Sequence, residues 1–181
     1  MDPSEHHTDE LELQLEELHA ASFGWACSCC GWNEADAEDV LQTAYMKVIS
    51  GRARFHGQSA FKTWLFGVLR HTASELARSV RSAERKATRL AVEARGSVKE
   101  VERPDESVEL AERNRLLRSS LAKLPGRQRE VLDLVFYQDL TLREAAEVME
   151  VSIGSARVHY DRGKKKLRAL LEDERGSGGT I

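Results

Sequence analysis

Apolar residues recur at helical spacing in several separate stretches of the chain, and no stretch shows the two-residue alternation of a half-buried strand. Asn33 stands as a candidate N-cap. After it Ala37, Val40, Leu41, Ala44, Tyr45 and Val48 fall at i, i+3, i+4, i+7, i+8 and i+11, one stripe of an amphipathic helix whose other side is acidic and amide-rich. Gly51 to Ser59 reads as a loop. A second stripe, Phe61, Trp64, Leu65, Val68, Leu69, Thr72 and Leu76, predicts a helix with a buried face and a basic exterior, since Lys62, Arg70 and Arg78 lie off it. Between Val80 and Ser107 charge, small residues, Gly96 and Pro104 follow without sustained period. Most of that segment reads as a tether, with local helix allowed at its ends.

The last third predicts short helices. Leu116, Leu117 and Leu121 precede Leu124-Pro125-Gly126, where the Pro-Gly pair marks a turn, and Val131, Leu132, Leu134 and Val135 form the next stripe. Thr141-Leu142-Arg143-Glu144 is a capping box, with a hydroxyl at the N-cap and a carboxylate three residues on, opening a helix that carries Ala145, Ala146, Val148 and Met149. Ser152 caps a final helix in which Ile153, Ala156, Tyr160, Gly163, Leu167 and Leu170 repeat at intervals of three and four. The expected end is a polar, Gly-rich tail from Glu172, disordered over 174–181. The fold class expected is all-α: two small helical domains joined by a flexible linker.

Composition changes this picture only in its detail. A length of 181 residues suits one ordinary domain or two small ones, and 6% aromatic residues suit helical units with modest cores. The net charge of −3, from 27 Lys and Arg against 30 Asp and Glu, taken alone argues against a nucleic-acid binder. Its distribution reverses that inference. From Lys47 to Leu90 ten basic residues face two acids, and from Ser155 to Arg168 six face Asp161 alone. The balance is held by an acidic N-terminal extension, 1–19, and by Glu34, Asp36, Glu38 and Asp39.

That extension is the opposite of a secretory leader's basic start, and the run from Leu18 to Trp32 is too short and polar to cross about 30 Å of hydrocarbon. All three cysteines sit within Cys27-Ser28-Cys29-Cys30, an arrangement that cannot staple a fold. The expectation is a soluble, cytoplasmic protein with no direct membrane contact.

The last two helices, joined by a short connection, have the layout of a helix-turn-helix. With Tyr160 toward the core, a turn of about 100° per residue places Ser155, Val158, Arg162 and Lys165 opposite, with Asp161 nearby. Arg157, Lys164 and Arg168 fall on one flank. Such a helix enters a major groove with its N-terminal half on base edges while the flanking cations neutralise phosphates. The bland alternative is a solvated basic helix.

Two distant segments then resemble one family in order. Asp36-Ala37-Glu38-Asp39-Val40-Leu41-Gln42, Phe55-His56-Gly57 and Phe61-Lys62-Thr63-Trp64-Leu65 resemble region 2 of bacterial RNA polymerase sigma factors. Leu124-Pro125-Gly126-Arg127-Gln128-Arg129-Glu130-Val131-Leu132, Glu144-Ala145-Ala146 and Ser152-Ile153-Gly154-Ser155-Ala156-Arg157 resemble their region 4. Having only these two regions and a short tether, the chain is similar to the extracytoplasmic-function (ECF) group. The resemblance implies region 2 at 20–80, a linker at 81–110 and region 4 at 111–173.

It also implies partners and sites. Core RNA polymerase would meet Asp39, Gln42, Thr43 and Met46, although Asp36 and Asp39 also simply complement the helix macrodipole. The minus 10 element of promoter DNA, melted, would meet Phe55, Lys62, Arg70, His71, Ser74 and Arg78, an aromatic platform with cations suited to single strands. Many members read Arg-Asn-x-x-x-Asp-x-x-Arg where this chain has Arg70, His71, Glu75 and Arg78, which leaves the preferred base open. Phe61 and Trp64 read as core packing. The minus 35 duplex would meet Ser155, Arg157, Val158, His159, Asp161, Arg162 and Lys165. An anti-sigma factor is a further implied partner.

Two rivals share parts of the pattern. A helix-turn-helix regulator working without polymerase accounts for the C-terminal half alone. A metal or redox sensor rests on His19, Cys27 and Cys30, a C-x-x-C with a histidine on a similar helical face, against the ordinary reading of cysteine as a small buried hydrophobe. No catalytic motif occurs, neither a Walker glycine loop nor H-E-x-x-H nor G-x-S-x-G, so no enzyme activity and no cofactor are expected. His6 and His7, in the acidic terminus, read as solvated.

Overall fold

The computed structural model describes residues 3–88, 117 and 119–177, with only the backbone path given for 3–9, 83–88 and 174–177. The expected tether from residue 89, Leu116, the side chains of His6 and His7, and residues 178–181 lie outside the described residues. Every regular element among the described residues is a helix, and the chain divides into two compact units, Met1–Val98 and Lys99–Ile181.

The first unit holds α1 (Pro3–Glu17), α2 (His19–Cys29), α3 (Glu34–Ile49) and α4 (Phe61–Thr88). Helices α2, α3 and α4 pack on one another, and α1 lies against α2 and α3. Their core is the set of apolar stripes turned inward: Ala37, Val40, Leu41, Ala44 and Val48 from α3, and Leu65, Phe66 and Leu69 from α4. Trp25 of α2 sits at its centre, fully buried and stacked on Phe66 at 6.1 Å between ring centroids. A buried indole needs an acceptor. Nε1 donates to the Phe66 carbonyl at 3.0 Å. Asn33 caps α3 as its sequence predicts, accepting from the Asp36 amide at 3.4 Å, with Glu34 and Asp36 in the positive first turn and Lys47 in the negative last one.

In the second unit residues 119–122 are helical, followed by α5 (Gly126–Phe136), α6 (Leu142–Met149) and α7 (Ile153–Ser177), the last three packing mutually. Pro125 precedes the first residue of α5 in extended geometry, and its carbonyl accepts from the Gln128 and Arg129 amides at 2.9 and 3.1 Å. The Pro-Gly turn therefore starts a helix. Leu121, Leu124, Val131, Leu132, Leu134, Ala145, Ala146, Val148, Met149 and Ala156 form the core.

Two expectations need correction, the disordered tail and the packing of Ile153, and two helices reach further than the apolar pattern specifies. Helix α4 runs to Thr88, within the local helix allowed at the start of the tether, because Ala83-Glu84-Arg85-Lys86-Ala87 is a strong helix-forming run that needs no apolar stripe. Helix α7 continues to Ser177, into the segment expected to be disordered from residue 174, because the Leu-Leu-Glu-Asp-Glu-Arg sequence at 170–175 has ample helix propensity. The acidic extension is itself helical, docked through Leu15, which is 4% exposed. Ile153, placed by its spacing on the apolar stripe, is 46% exposed. It is the first residue of α7, and its Cβ tilts back beyond the turn where packing begins.

Candidate nucleic-acid and protein interfaces

The C-terminal unit is built to hold α7 in one orientation. Thr141 and Glu144 make both halves of the capping box: Thr141 Oγ1 accepts from the Glu144 amide at 3.3 Å, and Glu144 Oε2 accepts from the Thr141 amide at 2.8 Å. At its other end α6 closes on Glu150 in the left-handed region, φ 54° and ψ 47°, and Arg127 of α5 donates to the Met149 carbonyl at 3.0 Å. Ser152 Oγ then accepts from the Ser155 amide at 3.1 Å and opens α7. Gly163, where an added Cβ would lie 3.1 Å from Leu132 Cδ1 and 3.2 Å from the Gln128 carbonyl oxygen, lets α7 lie close on α5.

With Ala156 and Gly163 buried, the outer side of α7 presents Ser155, Arg157, Val158, Asp161, Arg162 and Lys165, all exposed. His159 is half-buried, set back from the others. Lys164 turns away from that group, its Nζ 5.1 Å above the Tyr160 ring, which stacks on the exposed Phe136 at 5.9 Å. A flank role for Lys164 is thus shared with a cation–π contact.

In the N-terminal unit, Arg70, Ser74 and Arg78 repeat at i, i+4 and i+8 along α4, with His71 exposed between them. Lys62 stands one face earlier, its Nζ 5.6 Å from the Phe66 ring centroid. Arg78, exposed, donates from Nε to the Ser74 carbonyl at 3.1 Å. At the head of the helix Phe55 is 39% exposed and braced by Phe61 and Trp64, with all three centroid distances between 5.3 and 5.4 Å. Phe61 and Trp64 are half-buried, so they are not plain core but the base of an open aromatic cluster.

On α3, Asp39, Gln42, Thr43 and Met46 occupy i, i+3, i+4 and i+7 opposite the buried stripe. Met46 is 62% exposed and Thr43 half-buried. Sequence reasoning missed what joins this helix to α4: Lys47 donates to the Glu75 carboxylate and, at 3.0 Å, to Thr72 Oγ1. The Lys47 hydrogen bond holds the Glu75 carboxyl below its usual range. The available signal was chemical, an acid inside a basic helix and a lysine near the end of its neighbour.

The cysteines do not assemble a metal centre. Cys27 is buried in α2, Cys29 and Cys30 are half-buried thiols, and His19 is exposed. No three His, Cys, Asp or Glu side chains among the described residues converge to hold an ion. Burial, together with the nearby Asp36 carboxylate, pushes the Cys30 thiol up to about 12, which disfavours its thiolate in the metal-free protein. No helix among the described residues is long and apolar enough to cross a membrane.

These surfaces fall in two segments that known proteins share. Residues 17–83 match the family described as Sigma-70 region 2, and residues 114–167 match Sigma-70, region 4. The chain is similar to RNA polymerase sigma factor CarQ of Myxococcus xanthus, 30% identical over 139 residues that cover 77% of this chain and 76% of that protein. It is also similar to the ECF RNA polymerase sigma factor EcfG of Rhodopseudomonas palustris, 29% identical over 91% of this chain and 86% of that one. Its fold is that of the sigma factor RpoE, solved in complex with the anti-sigma factor NepR from Bartonella quintana. The TM-score is 0.72 at 24% identity, covering 90% of this chain and 97% of that one. A helix-turn-helix regulator independent of polymerase leaves the whole N-terminal match unexplained. Both regions, in order and on separate compact units, place the chain in the ECF group of the sigma-70 family of RNA polymerase sigma factors.

Proposed function

We propose that this sigma factor divides promoter recognition between its two exposed basic surfaces and docks on core RNA polymerase through the outer side of α3. Region 4, assigned to 111–173, reads the minus 35 duplex with Ser155, Arg157, Val158, Asp161, Arg162 and Lys165, His159 contributing from a more recessed position. Region 2, assigned to 20–80, captures the melted minus 10 strand: a base stacks on Phe55, while Lys62, Arg70, Ser74 and Arg78 hold phosphates and His71 hydrogen-bonds a base edge. Residues 81–110 link the two. Asp39, Gln42, Thr43 and Met46 meet a basic, polar surface of the polymerase. The protein supplies binding and strand separation rather than chemistry, as sigma factors are not enzymes, and acts in the cytoplasm under an anti-sigma factor.

The observation that carries the reading is the exposed Phe55 braced on Phe61 and Trp64 at the head of a basic helix. A regulator that reads only duplex DNA has no use for an open stacking platform. Stacking a base contributes about 1 to 3 kcal/mol. Reconstituted holoenzyme carrying Phe55→Ala should therefore lose about 5- to 150-fold in affinity for fork DNA with a single-stranded minus 10 segment, and nothing for a fully duplex minus 35 fragment. Equal affinity of variant and wild type for the fork would reject the assignment.

A further inference from the structure

Helix α1 lies almost wholly outside the region 2 match, which begins at residue 17, yet it is fixed to the domain. The Tyr45 phenol donates to the Leu15 carbonyl at 3.2 Å, and the backbone bonds Leu18 N to Gln14 O and Ser22 N to Leu18 O carry the chain into α2 with hardly a break. Docked there, α1 forms one wall of an apolar groove floored by Leu15, Tyr45 and Ile49. Past His19 and Tyr45 the groove continues between α2 and α3, over Phe23 and Leu41, and ends at Gln42. Gln42 belongs to the stripe assigned above to core polymerase, so the groove and that face are continuous. Three large apolar side chains remain uncovered on α1 and α3: Leu13, Met46 and Ile49, at 61, 62 and 51% exposure.

The groove's charge is one-sided. Glu12, Glu16 and Glu38 line it, and among the described residues no lysine or arginine does. Gathering carboxylates around an apolar floor is unfavourable in the isolated protein and becomes favourable when a cationic surface arrives. We infer that α1 is an added wall of the polymerase-docking surface, and that the groove takes an apolar helix of core RNA polymerase flanked by lysine or arginine. This rests on α3 facing the polymerase, and it extends that face to residues 12–16.

The test is binding of the full-length chain to core polymerase, followed by fluorescence anisotropy at several salt concentrations, for wild type, Glu12→Lys/Glu16→Lys and Ile49→Ala. Both glutamates and Ile49 are exposed, so the fold is retained, which an unchanged circular-dichroism melt checks. The charge reversal should weaken core binding about tenfold at low salt, with the difference shrinking as salt rises, and Ile49→Ala should weaken it at all salts. Affinity equal to wild type for both variants overturns the inference while leaving α3 as the docking helix. Variants that change only self-association or anti-sigma binding overturn it as well. Wild-type protein that does not bind core at all would instead overturn the functional reading itself.

Discussion

Gly163 and Gly154 lie in the same helix and should respond oppositely to alanine. In a helix interior glycine is about 0.8 to 1 kcal/mol worse than alanine, so on propensity alone Gly163→Ala would stabilise. The new Cβ would, however, lie 3.1 Å from Leu132 Cδ1, 3.2 Å from the Gln128 carbonyl oxygen and 3.3 Å from Gln128 Cβ. Comfortable carbon contacts are about 3.5 to 4.0 Å, so Leu132, which is 1% exposed, and the α5 backbone must give by a few tenths of an ångström. Overpacking a tight site costs about 1 to 3 kcal/mol. The net for Gly163→Ala is therefore destabilisation of about 1 kcal/mol, which lowers the midpoint of a domain this size by about 4 to 8 °C. At Gly154 the nearest atom to a new Cβ is Ser152 Oγ at 3.8 Å, so Gly154→Ala should be neutral or stabilising by under about 1 kcal/mol. The assay separates the two units without cutting the chain. Trp25, Trp32 and Trp64 all belong to the first unit, so tryptophan fluorescence follows that unit and circular dichroism follows both. Gly163→Ala should lower only the dichroism transition that tryptophan does not report. If it raises that transition, or matches Gly154→Ala, the close packing of α7 on α5 is refuted.

Other consequences are direct. Trp25→Ala removes the fully buried centre of the first unit and should cost about 3 to 5 kcal/mol in denaturant titration followed by circular dichroism. A loss under about 1 kcal/mol would contradict the core assignment. Arg162→Ala should weaken minus 35 duplex binding by about 1 to 3 kcal/mol without changing core affinity, provided Arg162 reads a base edge. Loss of core affinity in that variant would mean the helix is misassigned. Glu75→Gln should cost less than about 1 kcal/mol at pH 7, because the Lys47 pair is solvent-exposed. As the Glu75 carboxyl is depressed when folded, its contribution is present above the ordinary value of 4.5 and fades as pH falls through the lowered one, so wild type and variant should converge in acid. A pH-independent difference would deny the ion pair. In a Cys27→Ser/Cys29→Ser background, Cys30 should react with iodoacetamide at pH 8 at least about a hundredfold more slowly than free cysteine. Ordinary reactivity would reopen the thiol-sensor reading.

The parts of this fold that periodic patterns specify were legible from sequence. The α3 stripe, the Asn33 cap, the Thr141–Glu144 box and the Ser152 cap are local in sequence, and each is closed by bonds within four residues. Long polar helices were harder to read: α1 and the end of α7 escaped and the end of α4 was allowed only as local helix, because they are specified by propensity on solvated faces rather than by an apolar stripe. In α1 the signal was Leu11 and Leu15, four residues apart among acids. Contacts between distant residues were invisible for a different reason. Nothing in the spacing of Trp25 and Phe66, or of Lys47 and Glu75, says that they meet. The same holds for Phe55 with Phe61 and Trp64, where tertiary folding turned two expected core residues into the support of an open aromatic face.

The central claim is that the chain confers promoter choice on a polymerase. Promoter DNA selected by the reconstituted holoenzyme, placed upstream of a run-off template, tests it most directly. Core polymerase with this chain should produce one transcript of defined length, and neither core nor chain alone should do so. Specific binding to that DNA by the chain alone, with no transcript gained when core is added, would contradict the account.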